Sequence, residues 1–230
     1  MPASGTITAL ERGRRDPGRV TVSLDGAFAF GLSWTLVVQY GLQVGQYLSE
    51  RDVEELRTAD EAERAVQAGL RLLAARPRSE HELRERLRRK GFCRPAIETA
   101  VARLRHWRYL DDAEFARQWI AHRQGSGPRG RRLLEMELRA KGVDPATASA
   151  AVEAAEVDEE TLARRVALKH RERLTGLDPM IQYRRLAGVL QRRGFEWAVI
   201  RHVLETIDRE DGTETGSVAS EAAGEPSTAQ

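Results

Sequence analysis

Three glycines, Gly91, Gly142 and Gly194, stand 51 and 52 residues apart, and each carries the same frame around it. Eight residues ahead of each glycine is a leucine (Leu83, Leu134, Leu186), and four ahead is another (Leu87, Leu138, Leu190). A cation precedes it directly (Lys90, Lys141, Arg193) and an apolar residue follows (Phe92, Val143, Phe195). Further on, apolar residues recur at matching offsets: Ile97, Ala148 and Ile200, then Val101, Val152 and Leu204. Agreement across this many columns marks a repeated structural unit.

The frame has a direct physical reading. Leucines four apart share one face of a helix. The glycine predicts a helix stopped by a left-handed residue just past its end. The cation before it suits the negative end of the helix dipole. A second helix restarts at once, with Pro95 at the first helical position in one repeat and Asp144-Pro145 as cap and first position in the next. Ahead of each pair the apolar pattern predicts one more amphipathic helix, over 62–75, 112–123 and 159–174. Ser79-Glu80-His81-Glu82 reads as a capping box for the middle helix of the first repeat. The fold class expected is mainly α: tandem three-helix repeats stacked as a short, curved array.

The N-terminal region breaks this pattern. Thr6-Ile7-Thr8-Ala9-Leu10 and Val20-Thr21-Val22-Ser23-Leu24 alternate at period two, as strands do. Asp25-Gly26 then supplies a tight turn into Ala27-Phe28-Ala29-Phe30. Ser33 can cap a short helix to Tyr40, and Ser49 with Asp52 can start another. The expectation is a small three-stranded β-hairpin module over 1–58. Three-helix units follow over 59–110, 111–156 and 157–207. The stretch 208–230 carries six acids against one Arg and almost nothing apolar, and is expected to be a disordered acidic tail.

Charge is segregated along the chain. Residues 71–108 carry twelve basic and four acidic residues, and 164–193 nine basic and two acidic, although the whole chain is only +2. Such blocks point to charged partners. Cys93 is the single cysteine, so an internal disulfide and a cysteine-rich zinc site are excluded, and the residue reads as structural. No apolar run approaches a membrane span and no secretory leader pattern opens the chain, so a reducing, cytoplasmic location is expected without membrane contact.

Catalysis is not expected. The five histidines form no H-x-x-x-H or H-E-x-x-H pair, and the glycines of 125–130 lack the Lys-Ser/Thr of a phosphate loop. Asp111-Asp112 resembles a metal-binding pair, but Asp111 stands three before Glu114, where a helix cap belongs. No cofactor is expected.

A helix, a glycine turn and a second helix also describe a helix-turn-helix acting directly on duplex DNA. The base-reading side chains would then be Arg94-Pro95-Ala96-Ile97, Asp144-Pro145-Ala146-Thr147 and Glu196-Trp197-Ala198-Val199, and only the first offers an Arg. The cations crowd the middle helices instead. With Leu83 and Leu87 inward, Arg84, Arg88 and Arg89 point outward, and Arg184 and Arg192 do likewise in the third repeat. That arrangement suits phosphates or acidic protein surface without sequence readout.

The run Tyr109-Leu110-Asp111-Asp112-Ala113-Glu114-Phe115-Ala116-Arg117-Gln118-Trp119 resembles the "YLDDxxFAxxW" stretch of the RecX family. Gly127-Pro128-Arg129, with the segment from Leu134 to Val143, is similar to its "GPxxxxxELxxKGI" motif, and the segment from Leu83 to Phe92 to its "ELxxKLxxKGF" motif. The front hairpin is similar to that of many longer members. Gly130 and Arg131 depart from a middle motif that is usually more apolar, and the polar tail is not typical.

The resemblance implies a monomeric regulator of the RecA recombinase. It would lodge in the groove of the RecA–DNA filament, contact RecA and the single-stranded DNA within it, bind free DNA weakly if at all, and mostly inhibit recombinase and ATPase activity. Candidate contact residues are Arg84, Arg88, Arg89 and Lys90 in the first unit. Asp112, Arg129, Arg132, Arg139 and Lys141 belong to the second, and Arg184, Arg192 and Arg193 to the third. Phe115 and Trp119, four apart, read as a core pair with Tyr109-Leu110 as a hydrophobic staple. Asp112 and the Gly127-Pro128-Arg129 turn stay open between contact and structural roles.

Overall fold

The computed structural model of the chain describes residues 2–14 and 16–221, the backbone alone over 211–221. The chain divides between Asp111 and Asp112 into two compact units.

The first unit opens with β1 (Gly5–Arg12), β2 (Arg19–Leu24) and β3 (Ala27–Ser33), joined as an antiparallel meander. Asp25 (φ 49°) and Gly26 (φ 82°) both take positive φ, the geometry that a tight two-residue hairpin demands. The Asp25 carboxylate also accepts the Thr6 N–H at 3.0 Å, tying the turn to β1. The sheet has a fourth strand that the sequence reading missed. It is β4 (Tyr47–Leu48), paired with β1 to give the order β3-β2-β1-β4. Two residues are too short to show an alternating pattern. Ser33 caps α1 (Trp34–Gln39) by accepting the Leu36 N–H.

The next helix corrects the expected organisation. Ser49 and Asp52 form a reciprocal capping box, as their spacing predicts, but the helix they start is α2 (Glu50–Ala75), 26 residues long. The helix expected over 62–75 is its second half, so the boundary placed at 58/59 falls inside a continuous helix. Nothing from Arg57 to Glu61 breaks a helix, and buried Asp60 fastens it to the sheet. Its carboxylate accepts from Arg19 Nη2 at 3.1 Å and from the Ser33 N–H at 2.9 Å. The sheet module and the first three-helix unit therefore share one helix.

α2 packs with α3 (Glu80–Arg89) and α4 (Arg94–His106) around Leu83, Leu87, Ile97, Val101 and Leu104. Gly69 lets α2 and α4 meet closely: a Cβ there would lie 2.7 Å from Leu104 Cδ1. The second unit holds α5 (Asp112–Gly125), α6 (Arg131–Ala140) and α7 (Pro145–Ala154). It continues with α8 (Glu159–Arg171), a 3₁₀ turn (Glu172–Leu174), α9 (Pro179–Arg192) and α10 (Trp197–Glu221). Two apolar clusters form its interior, one around Phe115, Leu134, Leu138 and Val152, the other around Leu186, Leu190, Phe195 and Ile200.

The repeat frame resolves into one turn made three times. Gly91, Gly142 and Gly194 have φ of 87°, 78° and 81°. In each, the N–H of the apolar residue after the glycine donates back to the inner leucine: Phe92 to Leu87 at 3.4 Å, Val143 to Leu138 at 3.1 Å, Phe195 to Leu190 at 3.3 Å. The glycine N–H closes the inner bond, to Arg88, Arg139 and Gln191. This is the Schellman arrangement, which needs a leucine, a left-handed glycine and a following apolar residue at these spacings.

Three local expectations shift. Pro95 is the second helical residue, because Cys93 takes the cap position and Arg94 the first. Tyr109 is 61 % exposed and does not staple α5, whereas Leu110 is buried; Arg108 just ahead takes a φ of 61°. The acidic tail does not begin in disorder: α10 runs through Ile207, which is buried, to Glu221. Glu210 pairs with Arg164 of α8, its Oε1 accepting from Nη1 at 3.0 Å, which carries the helix past the predicted end. Residues 222–230 of the predicted tail lie outside the described residues.

Candidate functional site

The middle helices α3, α6 and α9 bury their leucines and turn their cations outward, but the structure separates those cations into neutralised and unneutralised sets. In α3, Arg84 bridges Glu80 and Glu98 of α4, with Nη2 to Glu98 Oε2 at 3.1 Å. Its guanidinium holds the Glu98 carboxyl below its ordinary pKa. Arg105 of α4 reaches the same Glu80 at 2.8 Å, and Arg88 pairs with Glu85 at 2.9 Å. These arginines tie α3 to α4 or to its own surface. Arg89 and Lys90 are exposed and form no ion pair among the described residues. Lys90 edges a cleft shared with Arg57, Asp60, Glu61 and Arg64.

In the second three-helix unit, Arg139 pairs with Glu135 at 3.0 Å. Arg132 is exposed and unpaired among the described residues. Lys141 and Arg123 lie over the ring of Trp119, 4.9 and 4.3 Å from its centroid. The Trp119 indole N–H donates to Glu137 Oε2 at 3.0 Å, and its ring stacks on buried Phe115 at 6.0 Å. Phe115 and Trp119 are thus the internal pair that their spacing predicts. Asp112 is the first residue of α5, half-buried at the positive end of that helix.

Two expected contact residues are engaged internally. Arg129 donates to the carbonyls of Arg123 at 2.9 Å and Gly127 at 3.3 Å and pairs with Glu137 at 3.3 Å. Its guanidinium satisfies the carbonyls of its own tight turn and is not turned outward. Arg193 donates to the Pro128 carbonyl at 3.2 Å, while its own carbonyl accepts the Gly130 N–H at 2.9 Å. The Gly127-Pro128-Arg129 turn is therefore a joint between α5, α6 and the end of α9.

Arg184 and Arg192 lie together. With Arg173, Arg185 and His170 they line a cleft of about 480 Å³ floored by Leu174, Gly188 and Val189. Arg173 and Arg185, unremarked in the sequence, join them, Arg173 from the 3₁₀ turn and Arg185 from α9 itself. His170 looked like any surface histidine.

Sequence reasoning also missed two carboxylates that finish helices they do not belong to. Glu61 of α2 accepts the N–H of Cys93, the cap residue of α4, at 2.7 Å, the bond that the acidic partner of a capping box makes from within its own helix. Glu159 of α8 accepts the Arg131 N–H at 2.8 Å at the start of α6, where Gly130 offers no side chain. Cys93 is exposed, its Sγ 3.2 Å from Glu61 Oε2. Among the described residues no group of three His, Cys, Asp or Glu is placed to hold a metal ion, and no helix is long and apolar enough to cross a membrane.

Tandem three-helix units closed by glycine turns, fronted by a small sheet and faced with arginine, define a helical-repeat protein built on its surfaces. The chain belongs to the RecX family of regulatory proteins. The family's N-terminal domain matches residues 5–49, and its first, second and third three-helix domains match 65–104, 111–152 and 158–204. Regulatory protein RecX of Bacillus subtilis (strain 168) is 30 % identical over 213 residues, covering 91 % of this chain and 80 % of the relative. Regulatory protein RecX of Amycolatopsis mediterranei (strain U-32) is 37 % identical over 164 residues, 70 % of this chain and 93 % of the relative. A crystal structure of regulatory protein RecX shares the fold with a TM-score of 0.76 at 23 % identity, covering 87 % of this chain and 98 % of that one. That of RecX from Lactobacillus salivarius has a TM-score of 0.61 at 19 % identity and covers 65 % and 98 %.

Proposed function

We propose that this chain lodges in the groove of the RecA–DNA filament, contacts both RecA and the single-stranded DNA, and restrains recombination and ATP turnover. The observation that carries this reading is the placement of unneutralised cations. Arg89, Lys90, Arg132, Arg184 and Arg192 face outward from the middle helices of all three repeats. A nucleoprotein groove offers acidic protein surface and phosphates together, and arginine pairs bidentately with either. The RecX membership agrees with a regulator that acts by binding. A filament partner places the protein in the cytoplasm, in DNA repair and recombination.

Direct sequence readout of duplex DNA has less support. The exposed residues opening α7 are Asp144, Pro145 and Ala146, and those opening α10 are Trp197 and Ala198 after Glu196. These offer no donor pair for a base edge. Capture on RecA filaments assembled on single-stranded DNA, with naked DNA as control, tests the reading. Retention on filaments and not on DNA alone supports it; equal retention on both, or retention on one duplex sequence only, overturns it.

A further inference from the structure

We propose that the cleft between the end of α8 and the outer face of α9 is a phosphate-binding site, taking the oxyanion of a phosphodiester or of a free polyphosphate. This deepens the filament reading at one cationic face and rests on it only for the biological source of the phosphate.

The lining carries the argument. Arg173, Arg184, Arg185 and Arg192 bring four guanidinium groups to one concave surface, with His170 beside them, and no carboxylate lines it. None of the four forms an ion pair among the described residues. The contrast with α3 is within the same chain: there Arg84, Arg88 and Arg105 are matched by Glu80, Glu85 and Glu98. Like charges held together in a cleft focus a positive potential that an anion relieves. Planar guanidinium forks suit phosphate oxygens.

Gly188 shapes the cleft. Arg184, Gly188 and Arg192 are spaced four apart on one stripe of α9. A Cβ on Gly188 would stand 3.4 Å from an Arg192 terminal nitrogen. The Arg192 side chain folds back over the glycine by a full turn, and a larger residue would push it out of the cleft.

His170 gives the site a readable signature. Burial comes first in pushing its imidazole below the ordinary pKa, followed by Arg193, Arg173, Lys169 and Arg192. Lys169 lies on its own helix, Arg173 on the 3₁₀ turn, and Arg192 and Arg193 at the end of α9. All the charged groups that shift it are cationic, so with burial they disfavour the protonated ring. A bound phosphate opposes this field and raises the His170 pKa. Binding then takes up protons, and affinity increases as pH falls through the bound-state pKa.

The test follows the His170 imidazole resonance against pH in the full chain, alone, with inorganic pyrophosphate and with a thymidine dodecamer. A raised His170 pKa with either probe is expected, and pyrophosphate alone marks free phosphate while the dodecamer marks the backbone. Arg184→Ala with Arg192→Ala should weaken binding about tenfold, as lost charge-assisted contacts do. Gly188→Leu, which keeps every cation but crowds Arg192, should weaken it too. An unmoved His170 pKa with both probes, or unchanged affinity in both variants, overturns the site. No filament is present in this assay, so failure here with filament capture intact strikes the phosphate site alone, and failed capture strikes the filament reading alone.

Discussion

Gly130 and Gly194 meet backbone to backbone: a Cβ on Gly130 would lie 2.3 Å from the Gly194 carbonyl oxygen. Gly194 is hemmed in from its own side as well, since its Cβ would fall 2.4 Å from the Leu133 amide nitrogen. Gly194 therefore serves two needs at once, the left-handed turn that ends α9 and the close approach of α6. Gly91 serves only the first, with open space where its Cβ would be.

The two glycines should respond differently to the same change. Gly91→Ala meets only the left-handed backbone cost of about 1 kcal/mol. Gly194→Ala adds a clash with backbone that cannot swing away, for a total of about 3 kcal/mol. Urea unfolding of the two variants measures both. Equal losses would show that the contact with Leu133 relaxes freely.

Asp60→Ala should destabilise the first unit by about 3 kcal/mol, because it strands Arg19 and the Ser33 N–H, which share its buried carboxylate. Arg19→Met combined with Asp60→Leu should recover most of that loss, since a buried pair replaced by apolar residues costs little. A double variant as unstable as Asp60→Ala would show the carboxylate acting through something other than Arg19.

Glu159 gives a pH-dependent prediction. Burial, reinforced by Glu196, raises its carboxyl pKa against the opposing pull of the Arg131 N–H and side chain. A carboxyl whose folded pKa is raised stabilises the fold fully below its unfolded pKa, and that stability is lost as pH rises through the folded value. Glu159→Gln keeps an acceptor for the Arg131 N–H without the charge. It should match wild type below pH 4 and equal or exceed it at pH 7. Glu159→Ala removes the cap and should cost about 1 kcal/mol at both. Thermal melts of the three proteins at the two pH values decide it, and a Gln variant less stable than wild type at pH 7 would contradict the assignment.

Much of this architecture was legible because the repeat encodes its own turn. A leucine, a cation, a glycine and an apolar residue at fixed spacing are what a Schellman turn needs, so Gly91, Gly142 and Gly194 could be read directly. The join between sheet and helices was not legible. Asp60 sits mid-helix in a charged stretch, and only folding brings Arg19 to it from 41 residues away. Glu61 and Glu159 were invisible for the same reason, since a cap supplied from another helix leaves no local pattern. The candidate site was half legible. Outward orientation follows from helical period, and Arg88, Arg89, Arg184 and Arg192, read as outward, are exposed. Whether an outward arginine is already matched by a glutamate depends on the neighbouring helix, and local spacing does not show that Arg84 meets Glu98 or Arg129 meets Glu137.

That distinction separates stability from binding. Arg84→Ala breaks the link between α3 and α4 and should lower stability by about 1 kcal/mol, the scale of partly exposed ion pairs acting together. Arg89→Ala should leave unfolding unchanged, because its side chain has no internal partner among the described residues. A melt in which Arg89→Ala loses more than Arg84→Ala would reverse the assignment.

The central claim is that unneutralised outward cations hold this chain on a RecA–DNA filament. Titrating wild type and an Arg89→Glu, Lys90→Glu, Arg132→Glu variant against filaments and against free duplexes of two sequences, each at two salt concentrations, tests it directly. Filament affinity should fall steeply with salt, ignore DNA sequence, and drop at least tenfold in the variant while its melting curve is unchanged. Equal filament affinity of the two proteins, or tight binding confined to one duplex sequence, would contradict the account.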